Sequence, residues 1–297
     1  ALVVLIRSNT IISNPIFQGK IMGTTYNVKI TNDINSFQYK KINAKILKKL
    51  NYINQSMSTW IDDSEITKFN NLTNTNKFFI SSDFYNVLKE SIYLSEISNG
   101  YYDFTIQSIL DSWGFGSNIN NEKLQPIPDS KKIKKLLINT GWKKLILKNG
   151  GLPYIKKSNP NIKINLGGIA KGYAADELSH LLTSMGYSNY FIDIGGDVIA
   201  RGVNQKKEIW KIGIRSPKAN LTALDDIHSK ISLSNTALAT SGHYFNYRQY
   251  KQKIYSHILN PMTGDSLIGE VISVSILADN CIQADGLATA IFVMDVR

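Results

Sequence analysis

The chain of 297 residues has one cysteine, Cys281. That excludes an intrachain disulfide and a thiolate metal site, and it leaves the redox compartment open. No apolar run approaches the roughly 20 residues needed to span a bilayer, and the opening Ala1-Leu2-Val3-Val4-Leu5-Ile6 is far shorter. Arginine is scarce, although lysine raises the formal charge to +11. Phosphate backbones reward clustered cations interleaved with aromatics. Here Lys40-Lys41, Lys48-Lys49, Lys131-Lys132, Lys134-Lys135 and Lys143-Lys144 are scattered over helix faces and loop edges, which reads as a solvated surface and not a nucleic-acid groove. Repeats, low-complexity tracts and interdomain linkers are absent, as are a G-x-G-x-x-G turn, a P-loop and the G-x-S-x-G elbow of a serine hydrolase.

With 43% apolar residues the chain can bury one large core or two small ones. Tyr26-Asn27-Val28-Lys29-Ile30 alternates as a strand does, and Ile42, Ile46, Leu50, Ile53 and Met57 recur at helical spacing. A second helix is predicted from Ser82-Asp83 to Gly100, with Val87, Leu88, Ile92 and Leu94 inward, and a third from Asp129 to Ile138, closed by Gly141. Ile162 to Leu166 reads as a strand entering a glycine turn and a helix that runs through Leu182 to a stop at Gly186. Tyr190 to Ile194 and Asp197 to Arg201 read as a hairpin around Gly195-Gly196. Further strands are predicted at Lys211 to Arg215, stopped by Pro217, and at Ile231 to Leu233, Ile254 to Leu259 and Val271 to Leu277. Without a steady βαβ rhythm, the mixture favours an α+β domain. Ala1 to Ile6 fits either the stump of a signal or anchor segment or a short first strand, and Ile291 to Met294 runs apolar without a stop, so sequence is expected to continue at both ends.

Five groups of residues could carry chemistry. Asp285 and Thr289, spaced i, i+4 in Ala284-Asp285-Gly286-Leu287-Ala288-Thr289, put two oxygens on one helix face, where a hard cation such as Mg²⁺ could be met. Read alone, such a pair is ordinarily a helix-start carboxylate and a back-bonding threonine. Asn165 to Gly172 would present backbone N–H groups and a helix N-terminus to an anion. Lys171 lies in that helix's first turn, where the dipole disfavours a cation, so it is expected to meet a phosphate. His257 ends a predicted strand and suits proton transfer, or simply packs there. Asp193 and Asp197 could be paired carboxylates for glycoside chemistry, but hairpin-turn acids is the plainer reading. Trp60, Tyr101-Tyr102 and Trp113-Gly114-Phe115-Gly116 are core aromatics singly and a stacking surface for a flat ring together.

The order of the motifs carries more than any one of them. Met22-Gly23-Thr24, Met57-Ser58-Thr59-Trp60, Asp103-Phe104-Thr105 with Trp113-Gly114-Phe115-Gly116, Asn165 to Ala174, Ile194-Gly195-Gly196-Asp197, Ala239-Thr240-Ser241-Gly242, His257 to Gly264 and Ala284 to Ala290 follow one another. The series closely resembles the FAD:protein FMN transferases, the ApbE-type flavin transferases once described as thiamine-biosynthesis lipoproteins, from about Lys20 to Met294.

The resemblance implies a single large α+β domain over 20–297, with mixed, largely antiparallel sheets packed with helices in an ApbE-like, T-fold-like arrangement. The FAD site would lie between its two halves, and 1–19 would be a leading segment. It further implies transfer of the FMN half of FAD to a threonine, or sometimes serine, hydroxyl of an acceptor flavoprotein subunit, with AMP leaving. Met22, Trp60, Tyr101, Tyr102 and Asp103 would line the FAD site, and Asn165 and Lys171 would contact the nucleotide. Asp285 and Thr289 with the Gly168 carbonyl would hold Mg²⁺, and His257 with Asp285 would serve catalysis. The acceptor would belong to a membrane redox complex, the enzyme would work in the cell envelope at the periplasmic face of the inner membrane, and any lipid-bearing cysteine would precede Ala1.

Many members carry Asp where this chain has Asn165, which removes a negative charge beside the nucleotide. Two side-chain oxygens are too few for a closed cation cage, so FAD phosphates and water would complete it. A Mg²⁺-dependent FAD pyrophosphatase and a non-catalytic flavin-binding protein are the alternatives.

Overall fold

In the strand Thr24–Ile30 the side chains of Tyr26, Val28 and Ile30 turn inward and those between them stay at least partly open, as the alternation predicts. The structure, a computed structural model, describes residues 10–116, 126–216, 227–243, 247–267 and 269–295. Ala1 to Ile6 and Pro217 lie outside them.

Six antiparallel strands form the central sheet, in the spatial order Ser273–Ala278, Thr236–Gly242, Asp197–Arg201, Tyr190–Ile194, Thr24–Ile30 and Ile16–Ile21. The expected boundary between residues 19 and 20 falls inside the last of these, whose residues pair from Ile16↔Lys29 to Ile21↔Thr24. A three-stranded sheet joins Phe78–Phe79, Leu152–Lys157 and Leu145–Gly150, and short ribbons pair elsewhere.

Seven α-helices occur among the described residues: α1 Ser36–Met57, α2 Glu65–Asn70, α3 Ser82–Ile97, α4 Gln107–Trp113, α5 Ser130–Leu137, α6 Ala170–Ser184 and α7 Cys281–Met294. Helix α1 starts at a reciprocal capping box, in which Gln38 N donates to Asn35 Oδ1 and Asn35 N to Gln38 Oε1, both at 2.8 Å. It buries the five apolar residues that the spacing singles out. Helix α6 packs on the strands Tyr190–Ile194 and Asp197–Arg201, and α7 beside it on Thr236–Gly242 and Ser273–Ala278. The opposite face carries the ribbon of Trp210–Arg215 and Ile227–Leu233, where Trp210 and Leu233 pack on Val198, Ala200 and Leu238. The strand Asp197–Arg201 is thus buried from both sides, and its first residue is a carboxylate.

Two predicted strands differ. Ile162 to Leu166 is extended but not in a ladder beyond a single bridge, Lys163↔Ile106. The side-chain amide of Asn70 takes the place of a neighbouring strand: Ile164 N donates to its Oδ1 and its Nδ2 donates to Ile164 O, both at 2.8 Å. The strand predicted to Leu259 ends at Ser256, where Ile258 N donates to Ser256 Oγ and turns the chain, leaving His257 just beyond.

Candidate active site

Helices α6 and α7 hold each other through a reciprocal pair of carboxylates. Helix α6 has no side-chain cap at Ile169, and its Gly172 N donates to Asp285 Oδ2 of α7 at 3.1 Å. In return Asp176 of α6 accepts from Cys281 N and Ile282 N, at 2.9 and 2.8 Å, at the start of α7. A carboxylate at a helix N-terminus satisfies free N–H groups and meets the positive end of the dipole. Close approach depends on Gly172: a Cβ there would stand 2.3 Å from Cys281 O and 2.9 Å from Asp285 Cβ. Burial pushes the Asp176 carboxyl up, and the N–H groups of Cys281 and Ile282 pull it back.

Above this clasp stand three charges. Lys171 Nζ makes a short ion pair with Asp197 Oδ2 and lies 3.4 Å from Asp285 Oδ2. Asp197 is 1% exposed and Asp285 3%. Burial and the neighbouring Asp285 push the Asp197 carboxyl up to about 7, against the opposing pull of Lys171. Burial by itself would lower the Lys171 ammonium, but Asp197 and Asp285 outweigh it and hold it well above its usual range. Within the protein, Lys171 is countered by two carboxylates, partners that its place in the first turn of α6 does not announce. The reading of Asp193 and Asp197 as a pair of turn acids is half right. Asp193 accepts from Gly196 N at 2.9 Å within the turn, whereas Asp197 faces Lys171.

One turn of α7 beyond Asp285, Thr289 Oγ1 lies 3.1 Å from Ser241 Oγ. Gly168 backs onto the same hydroxyl, at 3.0 Å from where a Cβ would be. At the same end of the sheet the turn Met22-Gly23, with φ of 51° and 73°, abuts Gly195, whose N donates to Thr25 O and whose Cβ would meet Thr24 Oγ1 at 2.7 Å. The hydroxyls of Thr289 and Ser241 and the carboxylates of Asp197 and Asp285 bring oxygen ligands to this corner, with two carboxylates against one ammonium. That set fits a hard divalent cation and no soft one. Among the described residues no three His, Cys, Asp or Glu side chains converge on a metal position.

The second wall is the extended segment 162–168. Lys157 Nζ donates to Ile162 O and Phe69 O at 3.3 and 3.2 Å, Asn70 holds Ile164, and Asn165 Nδ2 donates to Gln107 Oε1 at 2.6 Å. Asn165 Oδ1 accepts from Gly167 N at 2.7 Å, so both ends of its amide are engaged within the chain. Gln107 and Asp111 open on a polar cleft of about 220 Å³ that Trp60, Asn70, Asn71 and Lys163 also line. Trp60 is 67% exposed at its mouth.

The remaining residues divide. Asp103 is a brace: its carboxylate accepts from Thr105 N, Thr105 Oγ1 and Trp142 N. Tyr102 is buried beside Ser91, and burial pushes its phenol up. Tyr101 packs in a cluster with Ile258, Phe292 and Val293, which anchors the His257 segment on the end of α7, and the His257 ring meets Phe115 edge-on at 6.4 Å. The sequence offers Asp197 only as a turn acid or as half of a carboxylate pair with Asp193, and it does not single out Asp176. The Ile194-Gly195-Gly196-Asp197 motif signalled the first, and no local pattern signals the second.

The sequence model of the ApbE family matches residues 22–297. The FAD:protein FMN transferase of Vibrio cholerae is 33% identical over 93% of this chain and 80% of its own length. That of Buchnera aphidicola subsp. Schizaphis graminum is 34% identical over 94% and 80%. The solved structure of the flavin transferase ApbE from Vibrio cholerae superposes with a TM-score of 0.82 at 32% identity, covering 96% of this chain and 87% of that one.

Proposed function

Because the chain belongs to the ApbE family, we infer that the corner between α6 and α7 transfers the FMN half of FAD to an acceptor protein. The protein is an FAD:protein FMN transferase, as its relatives are. The acceptor group is a threonine or serine hydroxyl, and the reaction uses Mg²⁺. The observation that carries the cation is the buried Asp197–Lys171–Asp285 cluster, in which two carboxylates share one ammonium beside the Thr289 hydroxyl.

Asp285, Thr289 and the carbonyl of Gly168 would hold the ion, which supplies neutralisation of the pyrophosphate charge when bound. Helix α6 has no side-chain cap at Ile169, and its N-terminus turns the positive end of the dipole toward a phosphate. Lys171, held against Asp197, adds a fixed positive charge at that point. In the transfer the acceptor hydroxyl oxygen attacks the phosphorus on the FMN side, the bond to the AMP phosphate breaks, and its electron pair leaves with AMP. The hydroxyl proton passes to the His257 imidazole. FAD lies between the half that bears Met22, Trp60, Tyr101, Tyr102 and Asp103 and the half that bears Asn165, Lys171 and the cation ligands. The family resemblance further supports an acceptor in a membrane redox complex at the periplasmic face. Among the described residues no helix is long and apolar enough to cross a membrane.

The test is incubation with FAD, Mg²⁺ and an acceptor bearing a target threonine. A mass gain of one FMN on that threonine is expected. Release of FMN at a rate indifferent to acceptor, with no adduct, would make the protein a pyrophosphatase instead.

A further inference from the structure

The hydrogen bonds around Asn165 all run one way. Gly167 N donates to Asn165 Oδ1 at 2.7 Å, Asn165 Nδ2 to Gln107 Oε1 at 2.6 Å, and Gln107 Nε2 to Asp111 Oδ1 at 2.7 Å. A primary amide has one accepting and one donating end, and an ionised carboxylate only accepts. A backbone N–H closes one end of the chain and a carboxylate the other, so the two amides between them have one allowed orientation.

We propose that Gln107 and Asp111 are positioning residues of the transferase. They set the orientation of Asn165, and through it the Gly167–Gly168 turn, and Asp111 is the reason that residue 165 is an amide and not a carboxylate. Catalysis enters this proposal only through the FMN-transfer reading above.

Several observations support it. Gln107 and Asp111 are i, i+4 on α4, one above the other on a single face. Gln107 itself is 3% exposed, whereas Asp111 borders the polar cleft, so the cost of a lost partner falls mainly on Gln107. A Cβ on Gly116 would fall 1.7 Å from Asp111 Oδ1 and 3.0 Å from Gln107 Nε2, which explains the last glycine of Trp113-Gly114-Phe115-Gly116. At the far end the turn leads to Gly168, which rests on the Thr289 hydroxyl.

A carboxylate at 165 would set two acceptors face to face at Gln107 Oε1. Flipping Gln107 only moves that conflict to Asp111. With Asp111→Asn the whole chain reverses: residue 111 donates to Gln107 Oε1, and Gln107 Nε2 donates to the carboxylate at 165, which keeps its bond from Gly167 N.

The experiment is a double-mutant cycle with Asn165→Asp and Asp111→Asn, read by thermal melting without ligand and by FMN transfer at saturating FAD and Mg²⁺. Asn165→Asp is expected to lower kcat about ten- to hundredfold and to lower the melting temperature, the cost of an unpaired buried polar group. Adding Asp111→Asn should recover at least about tenfold of the kcat loss, as expected for residues in one network. Gln107→Glu makes the same conflict one joint along, and Asp111→Asn should relieve that too. The proposal is overturned if either single variant matches the parent, or if Asp111→Asn rescues neither. Recovery of melting without recovery of transfer would overturn the positioning role. If the parent itself transfers no FMN, the functional reading fails, and coupling in melting temperature still decides the hydrogen-bond chain.

Discussion

Two walls enclose the same corner and are held by opposite means. The α6–α7 wall is fastened by carboxylates on helix N-termini, Asp285 on Gly172 N and Asp176 on Cys281 N and Ile282 N. The 162–168 wall is fastened mainly by neutral amides, Asn70 and the Asn165–Gln107 pair, with Lys157 the one cation. A carboxylate accepts from any donor and brings net charge, so the first wall is a brace that also concentrates negative charge around Lys171. An amide brings no charge but has a direction. The second wall is therefore sensitive to polarity, with its charges, Lys157 and Asp111, at the ends of its hydrogen bonds.

The comparison is broken most severely at Asp285. Asp285→Ala should lower FMN transfer to an acceptor threonine by about 10²–10³-fold, the loss expected when a ligand of the proposed cation that neutralises the pyrophosphate is removed; in-gel flavin fluorescence of the acceptor measures it. Retention of more than a third of the activity would mean that the first wall is only a brace. Asp176→Ala leaves two buried N–H groups without partners. About 3 kcal/mol of stability should be lost, seen as a fall of about 6–12 °C in melting temperature.

On the amide side, Asn70→Ala strips Ile164 of partners for both its N–H and its carbonyl, and about 2 kcal/mol should be lost. Denaturant unfolding checks this, and a value above that for Asp176→Ala would reverse the ranking of the walls. The smallest effect is a pH slope at Lys157. Burial lowers its ammonium from 10.5 to about 8, with Lys163 adding to the effect. Between these values the unfolded chain binds more protons than the folded one, so stability rises with pH. Relative to Lys157→Met, the native protein should gain about 1 kcal/mol between about pH 7 and pH 9, measured by urea midpoints at each pH.

The readable parts of the sequence were those whose determinants are local. Helix α1 shows its apolar stripe in consecutive turns, and the hairpin around Gly195-Gly196 shows its turn chemistry. Asp285 and Thr289 are legible as a pair because four residues is a helical interval. What escaped depends on partners far away in the chain. Asp197 looks like its neighbour Asp193 until Lys171, 26 residues earlier, meets it. Asp176 looks like a polar residue on a helix until Cys281, 105 residues later, begins another helix on it. Ile162 to Leu166 has a strand's composition, yet its ladder is the side chain of Asn70, which no periodicity announces. Helices α2 and α4, of 6 and 7 residues, are too short to show a repeating stripe.

The central sheet lays its strands in space in the order they occur in the chain, so each strand joins one already laid down. Helix α7 follows them all. During synthesis Lys171 and Asp197 are made before Asp285 and Thr289 exist. A nascent chain that stops short of residue 281 lacks Asp285 and Thr289, two of the proposed cation ligands, and one of the two carboxylates that face Lys171. Helix α7 thus closes the core and brings the last side chains of the site at the same moment.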